Sequence, residues 1–403
     1  MKSEFPINLL TSFIGNFVGP IFAILLPLLA YKLGADVFEV GLVGGVSSSL
    51  YAFVPFIAGS YSDRLRTRRA FILIALVLLA ASSALYTVAT DPVEIILFRV
   101  FEGMGWAILW PTLDTVVSED RSRDPRRSLT IFNVTLSTAS IVGPLVGGFL
   151  VFTFSDLRYV FVATTIMLAA ALTINVVSGW FVRSLRGAPH DANGRGDGGG
   201  SATSLPPGSE NPSQRARHIL LLIVVLIFLS SVRGILFAFL PSLGQSVGVP
   251  EFLLVSIAFA FGTGRTFSFA LSLRDDLRDR IFGTGSVGRN VLLFLTIGTV
   301  AGIIPLIPDR TGAIYVASMA MAGIATGSVT GMVQVEVIAK ADSWRKGRGA
   351  GLLESSIGIG MAGGPILAGA AAQGSLSAPF LFVPLGLIVV LPVSLYLILK
   401  LRR

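Results

Sequence analysis

Twelve apolar runs, most of them twenty residues or longer, fill most of this chain. A hydrocarbon layer about 30 Å thick is crossed by about 20 apolar residues in a helix. Lipid offers no partner for a free backbone N–H or C=O, so segments that cross it are helices or parts of closed barrels. Runs of this length select helices, and the sequence predicts an all-α integral membrane protein. The spans are expected near 7–32, 37–61, 70–90, 93–117, 129–153 and 158–182, then near 218–243, 251–272, 290–308, 311–338, 350–373 and 377–399. They are numbered 1 to 12 in that order. The first run is too long for a signal peptide, and no small-residue cleavage site follows it, so it is read as a span.

The twelve runs form two related sets of six. Span 5 carries Gly143-Pro144-Leu145-Val146-Gly147-Gly148, and span 11 carries Gly364-Pro365-Ile366-Leu367-Ala368-Gly369. Gly143 and Gly364 lie 221 residues apart, and Arg127 and Arg348, in the basic loops just upstream, keep the same offset. Two pseudo-symmetric six-helix bundles are therefore predicted, over 1–183 and 217–403. The stretch 184–216 between them is rich in Gly, Pro and Ser (Gly198-Gly199-Gly200-Ser201, Pro206-Pro207-Gly208). It has too little apolar surface to offset its ordering entropy and is expected to be a flexible cytoplasmic linker. Duplicated sets of apolar segments are how many transporter folds are built.

Charge sets the orientation. Only 13% of residues are charged, against about 25% in soluble proteins. With the N-terminus in the cytoplasm, the outward loops hold only Lys32, Arg158 and Arg310 of the 31 Lys and Arg, and Arg99, Arg233 and Arg265 fall within spans. Every other Lys and Arg falls on the inward side, a strong positive-inside bias that places both termini in the cytoplasm. The net charge of +8 then reflects orientation and contact with anionic membrane lipid, not nucleic acid. Cys is absent, which excludes thiol catalysis, disulfides and thiolate metal sites. The two His, His190 and His218, lie in or beside the hydrophilic stretch, so no metal site and no cofactor is expected. No nucleophile–base set or phosphate-binding loop points to an enzyme or an ATP-driven pump.

The loop between spans 2 and 3 reads Gly59-Ser60-Tyr61-Ser62-Asp63-Arg64-Leu65-Arg66-Thr67-Arg68-Arg69. It resembles the signature cytoplasmic loop of the major facilitator superfamily, with Gly59, Asp63, Arg64 and Arg68 matching and Arg66 and Thr67 departing from the pattern. Asp63, near a helix end, suits hydrogen bonding or the positive end of a facing helix. The resemblance implies a latch between the two halves. Asp114 is expected to pair with Arg64 or Arg68. In the second half, Glu336 and Glu354 are expected to form cytoplasmic gate pairs with Arg345 or Arg348.

Span 4 reads Arg99-Val100-Phe101-Glu102-Gly103-Met104-Gly105. It is similar to the Arg-x-x-Gln-Gly-x-Gly element of the same family, with Glu102 in the Gln position. Ionisable residues inside a bilayer are functional candidates by default. Arg99, Gly103, Trp106 and Trp110 fall within about 40° of one another around the helix. That stripe reads either as the wall of a water-filled cavity for an amphipathic or cationic solute, or as an internal ion pair beside interfacial tryptophans. The resemblance implies that Arg99 takes part in proton coupling, with Glu102 as the protonatable partner. Asn16, Arg233 and Arg265 are further cavity candidates, and Asn16 reads more readily as a bond between helices.

The span 5 element, Ala139-x-x-x-Gly143-Pro144-x-x-Gly147-Gly148, is close to the antiporter motif of export proteins in this superfamily. Together these features lead us to expect a secondary active transporter that exports a small organic solute by proton antiport through alternating access. An uptake permease for an anionic metabolite or sugar and a non-transporting membrane sensor are the alternatives. A cell-membrane location and function as a monomer are expected.

Overall fold

The computed structural model describes residues 5–65, 68–118, 125–185, 212–272, 287–334, 336, 346–372 and 374–401. Among them every regular element is helical. Spans 1 to 6 are Phe5–Lys32, Val37–Leu65, Arg68–Tyr86, Pro92–Ser118, Pro125–Phe154 and Arg158–Leu185. Span 7 is Pro212–Ser246, and span 8 breaks at Ile257 into Glu251–Ser256 and Ala258–Ser272. Spans 9 to 12 are Val287–Ile303, Ala313–Val333, Lys346–Ala371 and Phe382–Leu401, with short 3₁₀ turns at Ile304–Leu306 and Ala378–Leu381. Eleven of these stretches are long and apolar enough to cross a membrane. Span 4 has the length, 27 residues, and carries Arg99 and Glu102 in its middle. All twelve expected spans are present as helices. The stretch between Leu185 and Pro212 lies outside the described residues.

The duplication runs deeper than the Gly-Pro pairs. Spans 1 and 7 each carry a Leu-Pro step, Leu26-Pro27 and Leu240-Pro241, and each ends at a glycine, Gly34 and Gly248, with φ of 93° and 90°. The closing bonds match as well. Ala35 N–H donates to the Ala30 carbonyl over 3.0 Å and Gly34 N–H to Tyr31 over 3.1 Å, while Val249 donates to Gly244 over 2.9 Å and Gly248 to Gln245 over 3.0 Å. This is the left-handed helix stop that satisfies the last carbonyls and that only glycine enters without strain. Gly34 and Gly248 lie 214 residues apart, whereas the Gly-Pro pairs lie 221 apart, so the second half carries seven extra residues between those points.

Burial separates central spans from peripheral ones. About 72% of the apolar window of span 1 is buried, against 22% in span 12. Spans 3, 6 and 12 therefore make much of the apolar outer belt, with Ile166, Ile388 and Val389 exposed on it. Between helices in lipid there is little hydrophobic gain, and close packing through small residues takes its place. Gly103 lays span 4 on the Ser47 backbone of span 2, and Gly323 lays span 10 on the Phe261 backbone of span 8.

The end of the bundle that carries Gly34 and Gly248 is called the distal face below. The opposite end, where Arg217 donates to the Lys400 carbonyl over 3.4 Å, is the terminal face. The halves meet along two symmetric seams, span 2 against span 11 and span 5 against span 8. At Gly41 a Cβ would stand 2.6 Å from the Pro365 carbonyl oxygen, and at Gly358 one would stand 2.6 Å from Ala52 N. On the other seam, a Cβ at Gly262 would stand 2.7 Å from the Ser140 carbonyl oxygen.

Candidate functional site

The span 4 cluster is a buried ion pair. Arg99 Nη1 donates to both Glu102 oxygens over 3.0 Å, and Arg99 Nε donates to the Val43 carbonyl over 2.8 Å. Glu102 also accepts from the Tyr86 hydroxyl over 2.6 Å and from Trp106 Nε1 over 2.9 Å. Arg99 and Glu102 are 4% and 2% exposed. A buried charge is tolerated when it is paired and hydrogen-bonded, and here both Glu102 oxygens and two of the three guanidinium nitrogens of Arg99 have partners. The cluster ties spans 2, 3 and 4 together.

Of the two readings of the span 4 stripe, this geometry favours the internal ion pair. The Trp106 indole is committed to Glu102 and buried, with its ring and that of Trp110 stacked 5.9 Å apart at 11°. Both rings lie against Gly15 of span 1, where a Cβ would stand 3.4 Å from each. Asn16 is likewise a tie between helices, its side-chain amide donating to the Leu136 carbonyl of span 5. The helical stripe is visible in the sequence. The partners that bury its charges are not, because Tyr86 and Val43 come from other spans.

A second charged group lies between the halves. The Tyr51 hydroxyl of span 2 donates to Glu354 Oε2 of span 11 over 2.6 Å. Arg233 of span 7 and Arg265 of span 8 both lie within electrostatic range of Glu354 and of each other. The Arg233 guanidinium sits 4.8 Å from the Phe261 ring centre and 5.4 Å from that of Phe237, and Arg265 sits 5.4 Å from that of Phe269. Phe237 and Phe261 meet edge to face at 5.3 Å and 86°. Arg233 Nε is buried with no hydrogen-bond acceptor.

Small residues aim these cations. Gly234 lets span 11 approach beside Arg233, where a Cβ would stand 2.9 Å from Pro365. Gly327 of span 10 lies under Arg265, where a Cβ would stand 3.1 Å from the arginine Cα. The structure thus brings together the expected cavity arginines, Arg233 and Arg265, with Glu354, which the sequence suggests as a gate partner of Arg345 or Arg348. Glu354 sits about two turns into a helix that begins at Lys346, at the depth of Tyr51 on the facing span. Tyr51 is a site residue that sequence reasoning missed, and its only signal there is a hydroxyl in the middle of an apolar run.

On the terminal face, His218 Nδ1 stands 3.7 Å from Glu336 Oε1, and an Arg215 Nη donates to the Glu336 carbonyl over 3.4 Å. Arg215 and His218 lie in span 7 and Glu336 three residues beyond the end of the span 10 helix, so these two contacts fall within the second half. In the first half, Arg69 donates to the Asn175 carbonyl and, over 2.8 Å, to the Ser178 hydroxyl. Arg68 and Arg69 share a small pocket with Asn8 and Asn175. The expected latch residues Gly59, Asp63 and Arg64, together with Asp114 and Arg348, lie outside the described side chains.

On the distal face the halves are joined. Lys32 at the end of span 1 pairs with Glu251 at the start of span 8 over 2.8 Å, and Gln245 donates to Glu251 over 3.2 Å. Phe152 meets Phe252 edge to face at 5.2 Å and 69°. The two Gly-Pro elements have the same division of labour. Gly143 packs on Phe17 of span 1 and Gly364 on Ser231 of span 7, each within its own half. Five residues on, Gly148 packs on Phe252 and Ser256 of span 8, and Gly369 on Val37 and Gly41 of span 2, each across the halves. Gly147 also faces Val255 of the opposite half.

Comparison with known proteins follows this geometry. The family model described as Major Facilitator Superfamily matches residues 7–335. Among curated proteins, the Bacillus subtilis multidrug transporter protein MdtP is 29% identical over 122 residues, covering 28% of this chain and 22% of the relative. Multidrug resistance protein 1 of the same organism is 29% identical over 119 residues, covering 29% of this chain and 30% of the relative. The matches thus span less than a third of the length of these relatives. Among solved structures, a POT family transporter in complex with 5-aminolevulinic acid superimposes with a TM-score of 0.74 at 12% identity, over 99% of this chain and 96% of that one. The nucleoside transporter NupG superimposes with a TM-score of 0.69 at 13% identity, over 99% of each chain. These likenesses establish the fold alone.

Proposed function

We infer the mode of action from one premise: the chain belongs to the Major Facilitator Superfamily. It is a multi-pass membrane transporter for a small-molecule substrate. Our reading is export of a small organic solute by proton antiport through alternating access. The Lys and Arg bias supports a cell-membrane orientation with the terminal face in the cytoplasm, so the distal contacts close the outer side. The multidrug relatives and the antiporter-like element of span 5 support the export direction. A site built wholly within one chain supports action as a monomer in lipid.

The observation that carries the reading is the placement of Glu354. Its carboxylate accepts from Tyr51 of the other half and lies within electrostatic range of Arg233 and Arg265. Glu102 is held by a fixed set of donors within one half, so we move the proton-binding role from Glu102 to Glu354. A proton biases a two-state carrier only when it binds the two states unequally. A carboxylate whose partner belongs to the opposite half meets that condition.

The test uses inverted membrane vesicles with an acidified interior and two probes, the cation ethidium and the zwitterion norfloxacin. Export predicts accumulation of at least one probe that collapses when a protonophore is added. Accumulation of neither would overturn the reading.

A second reading rests on the two guanidiniums facing one carboxylate. A simple anion at Arg233 and Arg265 binds better once Glu354 is neutralised, and linkage makes that preference reciprocal. Proton and anion would then travel together, which is symport and suits uptake. Flux in right-side-out vesicles with an acid exterior separates the two readings.

A further inference from the structure

We propose that the start of span 8, Glu251–Ser256, is a hinged lid that moves on the joint at Ile257 independently of the rest of the span. Its place on the outer side rests on the alternating-access reading, whereas its motion does not.

The duplication gives span 8 a reference, span 2. With Gly248 set on Gly34, Glu251 falls on Val37, Ile257 on Val43 and Phe261 on Ser47, each 214 residues further on. Span 2 runs unbroken through Val43, and span 8 breaks at Ile257. There φ is −53° and ψ −30°, values of a 3₁₀ turn, and Ala260 N–H donates to the Ile257 carbonyl, three residues back, over 3.0 Å. Just before the joint, the Ser256 hydroxyl donates to the Phe252 carbonyl over 2.7 Å, a bond of the kind that bends helices. A tightened turn inside a helix often marks a hinge.

Span 2 is also clamped where span 8 is jointed. Gly103 lies on Ser47 and Gly323 on Phe261, so spans 4 and 10 correspond at an offset of 220, and Met319 stands where Arg99 stands in the first half. Arg99 Nε holds the Val43 carbonyl over 2.8 Å. A thioether has no N–H to donate, so Met319 does not repeat this clamp at Ile257.

The lid is seated mainly on the opposite half, along span 5. Gly148 lies on Phe252 and Ser256, Gly147 faces Val255, and Phe152 meets Phe252 edge to face. Lys32 of span 1 pairs with Glu251. Its own half reaches it at Gly244 and Gln245, near the end of span 7. A segment jointed to one half and seated on the other can leave its seat while Ala258–Ser272 stays in place.

The experiment is amide hydrogen exchange on the purified full-length chain in micelles, followed in peptides over 251–257, 258–272 and 37–43. Exchange reads local opening, and 251–257 and 37–43 both begin a helix, so fraying is common to them. Protection in 251–257 is expected to be at least tenfold lower than in 37–43. Linking Phe152→Cys to Phe252→Cys with a short bis-maleimide should raise it at least tenfold and leave 258–272 unchanged. Gly148→Ala, whose Cβ would stand 2.6 Å from the Phe252 carbonyl oxygen, should lower it further while the thermal midpoint stays within a few degrees. Equal protection in the two counterparts, or 251–257 and 258–272 responding together, overturns the inference. A lid that opens without proton-driven flux in vesicles would leave the lid standing and sink the antiport reading, and flux with span 8 moving as one rod would do the reverse.

Discussion

The Tyr51 hydroxyl on span 2 donates to the Glu354 carboxylate on span 11 over 2.6 Å, and the two residues belong to opposite halves of the protein. A hydrogen bond to a charged group contributes about 1.5–3 kcal/mol, a factor of roughly 10 to 100 in an equilibrium. Tyr51→Phe should therefore shift the balance toward separation of the halves. Spin labels placed on spans 2 and 11 would read this as a longer distance population, and an unchanged distribution would refute it.

Glu102 and Glu354 should respond oppositely to substitution. Arg99→Ala leaves Glu102 buried without its cation, a loss of about 3–5 kcal/mol, and should sharply reduce folded yield. Glu102→Gln should lower the thermal midpoint yet keep transport dependent on pH. Glu354→Gln should keep the midpoint within a few degrees and abolish pH-driven accumulation. Retained coupling in Glu354→Gln would return the proton to another group.

The distal seam should fail on overpacking. At Gly148 a Cβ would stand 2.6 Å from the Phe252 carbonyl oxygen, so Gly148→Leu should hold the halves apart. The chain has no cysteine of its own, and a Phe152→Cys, Phe252→Cys pair reports closure through the rate of cross-linking by a short bis-maleimide. We expect at least a tenfold slower reaction in the Gly148→Leu background. By comparison, Lys32→Ala removes a partly exposed ion pair and should change the rate little, since such pairs contribute about 0.2–1 kcal/mol.

Asp309, in the loop between spans 9 and 10, carries an acid-side dependence of stability. The Thr311 hydroxyl, followed by the Ile314 and Thr311 backbone N–H groups, holds its carboxyl below the usual carboxylate range. A depressed folded value means that the contribution is present above the unfolded value, about 3.9, and is lost as pH falls through the folded one. Wild type should lose thermal stability more steeply than Asp309→Asn below about pH 4. Parallel melting curves for the two proteins would count against this.

The spans can be read from the sequence because lipid imposes length and apolarity on each helix independently. Within one helix, spacing suffices as well, and the Arg99–Glu102 pair follows from its i, i+3 separation alone. The Tyr51–Glu354 bond joins residues 303 apart, and nothing local in either run marks the other. Repeats of single residues fall in between. The Gly143 and Gly364 elements stand out because each has a Gly-Pro pair and a closing Gly within six residues, whereas the Gly34 and Gly248 stops are one glycine each and become equivalent only when their bonds are compared.

Under the proposed alternating-access cycle the two glycine positions of span 5 have contacts of different lifetime. Gly143 rests on its own half and Gly148 on the opposite one, with Pro144 between them. In that cycle one turn of this helix would belong to a joint made once, during assembly, and the next to a joint broken and remade with every solute carried. Wear and repair are thus separated by little more than a helical turn, and span 11 repeats the arrangement at Gly364 and Gly369.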